Sequence, residues 1–297
     1  MILSSKIVMY LLAGASIASA IFLTTLYGLY APFHSQEAVA VTAPHIELDP
    51  ALITAKAAII FDPNSGQILF EKNAHAQLPL ASLTKLMSAD AILSSGVENA
   101  VVSISVENLK PEGDSGLRVG ENWKLEDLLM LGLVASSNDA MAAAANALGG
   151  DVTQRMNMRA QELGLSQTHF SNATGLDLDL EIAGAYGSAY DVAKLAANFL
   201  RSYPGLFETT AHQRIGVSSN SQYIEATSTA APLLDIPGLI AAKTGYTDLA
   251  GGNLVAAVDV KLGRPLIIAV LGSTRQARFL DVKTLVHAAR ATLLEQP

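Results

Sequence analysis

The chain has 297 residues, enough for one large domain or two small ones; half are apolar, 15% are charged, and the formal net charge is -8. No basic run is present to neutralise phosphates, which argues against a nucleic-acid partner. There is no cysteine, which excludes disulfides, iron–sulfur clusters and thiolate zinc sites, and the six histidines are scattered without an H-x-x-x-H pair, so neither a metal nor another cofactor is expected.

The first predicted element is apolar. From Ile7 to Phe33 no residue is charged. That run is longer than the roughly 7–15 apolar residues of a secretion signal and long enough for the about 20 of a spanning helix. Lys6 precedes it and Glu37 follows, which puts the N-terminus in the cytoplasm; Tyr27 and Tyr30 suit the far membrane interface. Residues 1–33 therefore read as a membrane anchor or uncleaved signal. A cleaved signal ending at Ala38-Val39-Ala40 is the competing reading. Either way the rest of the chain is delivered outside the cytoplasm, behind a linker at 34–50 that contains two prolines.

Ala57–Phe61 is a short buried strand, Asp62-Pro63-Asn64-Ser65-Gly66 a turn, and Gln67–Glu71 a returning strand. From Pro79 the pattern turns helical and stays so to about residue 225. Ser82-Leu83-Thr84-Lys85 opens this stretch, with Ser82 in a first helical turn and Lys85 one turn on, sharing its face. Backbone amides at a helix start can stabilise an oxyanion. A serine hydroxyl needs a base, and a desolvated lysine beside another cation can be one.

Leu125–Val134 is an apolar amphipathic run, and Asn138–Leu148 an alanine-rich helix closed by Gly149-Gly150. Between them lies Ser136-Ser137-Asn138, where Ser137 or Asn138 suits the helix cap. Tyr190–Leu200 is a further helix. Strands return at Leu239–Thr244, Leu254–Val260 and Leu266–Leu271, before a terminal helix over Arg275–Glu295. Lys243-Thr244-Gly245 closes the first of them, its glycine leaving room for a substrate backbone at the strand edge. Gly113-Asp114-Ser115-Gly116 copies the nucleophile string of chymotrypsin-like proteases, but it stands among helices, and Ser115 reads as a loop residue.

The ordered triple Ser82-x-x-Lys85, Ser136-x-Asn138 and Lys243-Thr244-Gly245 resembles the penicilloyl serine transferase superfamily. Within it, the chain resembles the D-alanyl-D-alanine carboxypeptidase family of low-molecular-mass penicillin-binding proteins. Ser136-Ser137-Asn138-Asp139-Ala140 matches the family's Ser-x-Asn-Asp-Ala run, and Gly120-Glu121 and Leu128-Leu129 resemble its lead-in. Phe170-Ser171-Asn172-Ala173-Thr174-Gly175-Leu176 resembles another family segment, taken as structural.

The resemblance covers roughly Ala51 to the C-terminus and implies a catalytic domain over 51–297. The implied fold is α/β (α+β), β-lactamase/transpeptidase-like. Its antiparallel sheet is flanked by helices, with a mainly helical subdomain of about 79–225 inserted. The implied activity is that of a serine-type D-Ala-D-Ala carboxypeptidase on peptidoglycan stem peptides, with β-lactams as covalent inhibitors, outside the bacterial cytoplasmic membrane. Ser82 is then the nucleophile, Lys85 the base with Lys243 as second cation, and Ser136 a hydroxyl relay. Asn138 orients Lys85 and bonds the substrate. Lys243, Thr244 and Gly245 meet the substrate terminus, and the Tyr246 amide is the second oxyanion donor. Arg278 reads the terminal carboxylate, with Arg275 competing.

Many members carry a further β-rich domain, whereas this chain ends at Pro297 directly after the terminal helix. That domain is therefore expected to be absent, as in shorter members that act as D,D-endopeptidases on cross-links, and the endopeptidase alternative stays open. A serine β-lactamase of class A deacylates with a glutamate held near an asparagine, and no Glu-x-x-Leu-Asn string appears between 150 and 185, where Glu162 and Glu181 stand unsupported. A non-catalytic penicillin-binding module would need a lost motif residue, and none is lost.

Overall fold

The computed structural model describes residues 45–294 except 114 and 150. The expected anchor at 1–33 and most of the linker lie outside the described residues. Ile46 is fully buried and its N–H donates to the Leu69 carbonyl at 2.8 Å, so the packed domain takes in a residue read from sequence as linker. Among the described residues no helix is long and apolar enough to cross a membrane.

The hairpin forms as its turn residues require. β1 (Ala57–Asp62) and β2 (Gln67–Lys72) pair antiparallel. Asp62 Oδ1 accepts from the N–H groups of Asn64 and Ser65 at 2.9 and 3.3 Å and so closes the turn. β3 (Leu78–Pro79) then leads through a 3₁₀ turn at Ala81–Leu83 into α1 (Thr84–Leu93). β4 (Val101–Ser103) and β5 (Asn122–Lys124) precede α2 (Leu125–Val134), α3 (Asn138–Ala145) and α4 (Val152–Glu162). β6 (His169–Phe170), β7 (Ala185–Gly187), α5 (Ala189–Ser202), α6 (Pro204–Glu208), β8 (Arg214–Ser218) and β9 (Tyr223–Thr227) follow. The chain returns to the main sheet through β10 (Leu239–Thr247), β11 (Gly251–Lys261) and β12 (Arg264–Ser273), and closes with α7 (Ala277–Leu294).

The main sheet runs β10-β11-β12-β1-β2, with every neighbour antiparallel. Its strands read as continuous apolar runs because both faces are covered. Ile59, Val255 and Ile267 point into the core shared with the inserted helices. Ile60, Ala256 and Ile268 point the other way, into the core shared with Val282 and Leu285 of α7. The insertion is less purely helical than the sequence suggests: β3-β7-β6, β4-β5 and β8-β9 form three small sheets within it. Most of these strands, of two or three residues, are too short to show alternation, whereas β8 alternates exposed and buried residues along its five. Helix α4, too, left no apolar stripe to read, since it buries only Met156 and Ala160.

A buried polar knot fixes α1. Asp90, fully buried, accepts from Arg159 Nε of α4 at 2.6 Å and from Asn198 Nδ2 of α5 at 2.8 Å. Asp90→Ala strands both donors, and unfolding in urea should show a loss of about 3 kcal/mol. A loss under about 1 kcal/mol would mean that apolar packing alone holds the three helices.

Candidate active site

Ser82 stands in the 3₁₀ turn ahead of α1, not in the helix itself. The preceding Ala81 has φ +48°, a left-handed conformation that costs a residue with a Cβ of order 1–3 kcal/mol. Its neighbours hold it there. Asn253 Nδ2 of β11 donates to the Pro79 carbonyl at 2.9 Å, and Leu80 N–H donates to Ala185 O at 2.9 Å. Edge strand β10 presses on the same turn. A Cβ on Gly245 would lie 3.0 Å from Leu80 O and 3.2 Å from Leu83 N, so the absent side chain makes room for the turn that bears Ser82. That differs from the reason the sequence suggested.

Lys85 is fully buried, and its Nζ lies 2.8 Å from Ser82 Oγ, 2.7 Å from Asn138 Oδ1 and 2.8 Å from Thr174 O. Burial pushes its pKa from the ordinary 10.5 down to about 7, because an ammonium there loses its hydration. Lys243 is also fully buried and donates to Ser136 Oγ at 2.8 Å and to Thr244 O at 2.9 Å. Its pKa falls well below the ordinary value through burial first, then through the charges of Lys85 and Arg278.

Ser136 also has a left-handed backbone, φ +60°, which turns its hydroxyl back to Lys243 just ahead of α3. The cap of α3 is Ser137, whose Oγ accepts from Ala140 N–H at 3.0 Å. Ser115 Oγ donates to that same Oγ at 2.6 Å, so Ser115 is a loop residue bracing the second motif. Asn138 uses both ends of its amide: Oδ1 accepts from Lys85, and Nδ2 donates to the Glu112 carbonyl.

Thr244 Oγ1 bonds Thr229 Oγ1 at 2.7 Å, which reaches Val134 O at 3.3 Å. Nothing in the sequence around Thr229 marked it. Thr174 was likewise missed as a partner of Lys85; the turn chemistry of Asn172-x-Thr174-Gly175 was its available signal. Tyr246 is exposed, with the Arg275 guanidinium 4.6 Å from its ring centroid. Arg278 is buried and donates through Nη1 to Gly245 O. Burial and the nearby Arg275 lower its pKa to about 10, so it stays charged at neutral pH. A cavity of about 730 Å³ opens beside Asn138 and Tyr246 and is lined by Arg275, Asp177 and Leu180 among others. Among the described residues, no cluster of three or more His, Asp or Glu stands ready to hold a metal ion.

A family model described as D-alanyl-D-alanine carboxypeptidase matches residues 41–275. A D-alanyl-D-alanine carboxypeptidase of Bacillus subtilis is 29% identical over 245 residues, covering 79% of this chain and 62% of the relative. The chain thus spans less than two thirds of that relative's length. A D-alanyl-D-alanine endopeptidase of Pseudomonas aeruginosa is 28% identical over 266 residues, covering 82% of this chain and 84% of the relative. Among solved structures, penicillin-binding protein D2 of Listeria monocytogenes in its ampicillin-bound form superposes with a TM-score of 0.70 at 28% identity, covering 80% of this chain and 97% of that one.

Proposed function

The chain belongs to the D-alanyl-D-alanine carboxypeptidase family, and from that premise we propose that it removes the terminal D-alanine of peptidoglycan stem peptides through an acyl-enzyme on Ser82. The observation that carries this is the buried Lys85 amine, 2.8 Å from the Ser82 hydroxyl and with a pKa lowered to about 7. As a neutral amine, Lys85 takes the Ser82 proton while Oγ attacks the carbonyl carbon of the penultimate residue. The backbone amides of Ser82 and Tyr246 receive the oxyanion. The proton that Lys85 took is relayed through the Ser136 hydroxyl, held by Lys243 at 2.8 Å, to the departing nitrogen, which restores both Ser136 and the neutral Lys85 amine. Water then opens the ester, with Lys85 again taking the proton.

The carboxylate of the leaving residue is read by Lys243, Thr244 and Arg278. Its arrival favours the charged form of Lys243, whose own surroundings in the free protein oppose that charge. β-Lactams, whose amide presents the same carbonyl, acylate Ser82. The apolar segment 7–33 tethers the domain to the outer face of the cytoplasmic membrane. Cleavage of cross-links is the second reading, favoured by the Pseudomonas endopeptidase, of which this chain spans 84%. A β-lactamase reading finds no support at Glu162, whose carboxylate is tied to Arg159 at 2.9 Å.

Mass spectrometry of purified peptidoglycan after incubation tests the reading. Stem peptides should lose one D-alanine while cross-links persist, and Ser82→Ala should abolish the change. Loss of cross-links alone would establish the endopeptidase, and activity surviving in Ser82→Ala would end the acyl-enzyme account. Arg278→Ala should lower kcat/KM on a D-Ala-D-Ala peptide by roughly ten- to a hundredfold, and less on the C-terminal amide. Equal losses on both would mean that Arg278 only supports Gly245.

A further inference from the structure

We propose that Asn172 is a positioning residue for the base: its side chain ties the turn that holds the Thr174 carbonyl against Lys85, and so aims the lysine lone pair at Ser82. The inference rests on Lys85 acting as the base.

A neutral amine has two N–H donors and one lone pair. Lys85 Nζ has three partners within 2.8 Å. Two of them, Asn138 Oδ1 and Thr174 O, are carbonyl oxygens that only accept, whereas the Ser82 hydroxyl can donate. When both N–H groups are taken by the carbonyls, the lone pair is left facing the Ser82 proton. Remove either carbonyl and the amine is free to rotate.

Asn138 is fixed at the head of α3. The Thr174 carbonyl lies in no helix or strand; Ser88 Oγ anchors the turn by donating to the Ala173 carbonyl at 2.6 Å, and Asn172 makes most of its remaining side-chain bonds. Asn172 Oδ1 accepts from Gly175 N–H at 2.7 Å, Thr174 N–H at 3.1 Å and Thr174 Oγ1 at 3.3 Å, while Nδ2 donates to Leu176 O at 2.8 Å. Three donors on one side and a carbonyl on the other settle which way the amide points. One side chain thus closes the turn from both directions.

The surroundings are shaped to this amide. A Cβ on Gly184 would lie 2.4 Å from Asn172 Nδ2. Gly175, at φ +80°, lets the turn lie directly on the nucleophile: a Cβ there would stand 1.9 Å from Ala81 O. Just upstream, Asn157 of α4 brackets Phe170, accepting from its N–H at 2.9 Å and donating to its carbonyl at 2.8 Å. Without the Asn172 amide, the peptide carrying the Thr174 carbonyl can swing off Lys85 and admit water.

Single-turnover acylation by benzylpenicillin, followed against pH, tests this. In the wild type the rate should rise with pH through about 7 as Lys85 loses its proton. Asn172→Ala should acylate on the order of 10- to 100-fold more slowly, with KM for a D-Ala-D-Ala peptide unchanged. Its acid limb should move to higher pH, because water at Lys85 relieves the burial that depresses its pKa. Asn172→Asp keeps the acceptor oxygen but loses the amide donor and adds a charge that by itself raises the Lys85 pKa, so it is compared at a pH above both acid limbs, where its acylation rate should fall between; that rate decides the question if Asn172→Ala does not fold. A wild-type rate with an unmoved limb, or equal damage to kcat and KM with an unmoved limb, overturns the role of Asn172 and leaves Lys85 as base. A wild type with no acid limb, or Lys85→Arg acylating normally, overturns the base and this proposal together.

Discussion

Two lysine amines held out of water in one seam are the constraint on which the rest of this site depends. A buried ammonium costs several kcal/mol unless it is compensated. Among the described residues, the partners of Lys85 and Lys243 are hydroxyl and carbonyl oxygens, with no carboxylate among them. A carboxylate would hold either amine charged and disqualify it as a base. Acceptors without charge orient the nitrogens and leave burial free to lower the pKa. The main sheet, the inserted helices and the turn before α1 bury both lysines completely while Ser82 stays partly exposed.

That arrangement needs close backbone approach and some strain. Gly245 lets β10 lie against the Ser82 turn, and Gly175 lets the Thr174 turn lie against Ala81. Among the described residues the non-glycine positions with positive φ are Asn73, Ala81 and Ser136, and two of these adjoin the reacting groups. Strain of this kind persists only where surroundings over-determine it. Here the Asn253 bond to Pro79 fixes one turn, and the Ser136 bond to Lys243 fixes the other. The Asp90 knot, behind α1, keeps the helix that follows Ser82 from drifting.

Much of this was legible in the chain. The hairpin at 57–72 and the three closing strands carried turn residues and apolar runs, and the structure extends each only by a few residues. Helix α2 has the bounds its apolar run gave, Leu125 to Val134. The three motifs announced themselves because their chemistry lies in side-chain identity at short spacing. What stayed hidden acts through backbone or over long separations. The Thr174 carbonyl is supplied by any residue type, and the Thr229–Thr244 bond spans 15 positions. The two- and three-residue strands β3 to β7 are held by pairing rather than by their own pattern. Spacing treats Arg275 and Arg278 alike, whereas burial separates them. Arg278 is closed in against Gly245, and Arg275 stands over Tyr246 beside the cavity.

The most direct test of the account is to watch the Lys85 amine titrate. With lysine labelled by carbon-13 at Cε, the Lys85 resonance is assigned by its loss in Lys85→Arg and followed against pH in the unliganded protein. A midpoint near 7 would show that burial alone readies the base before substrate arrives. A midpoint near the ordinary 10.5, in protein that still acylates, would contradict it.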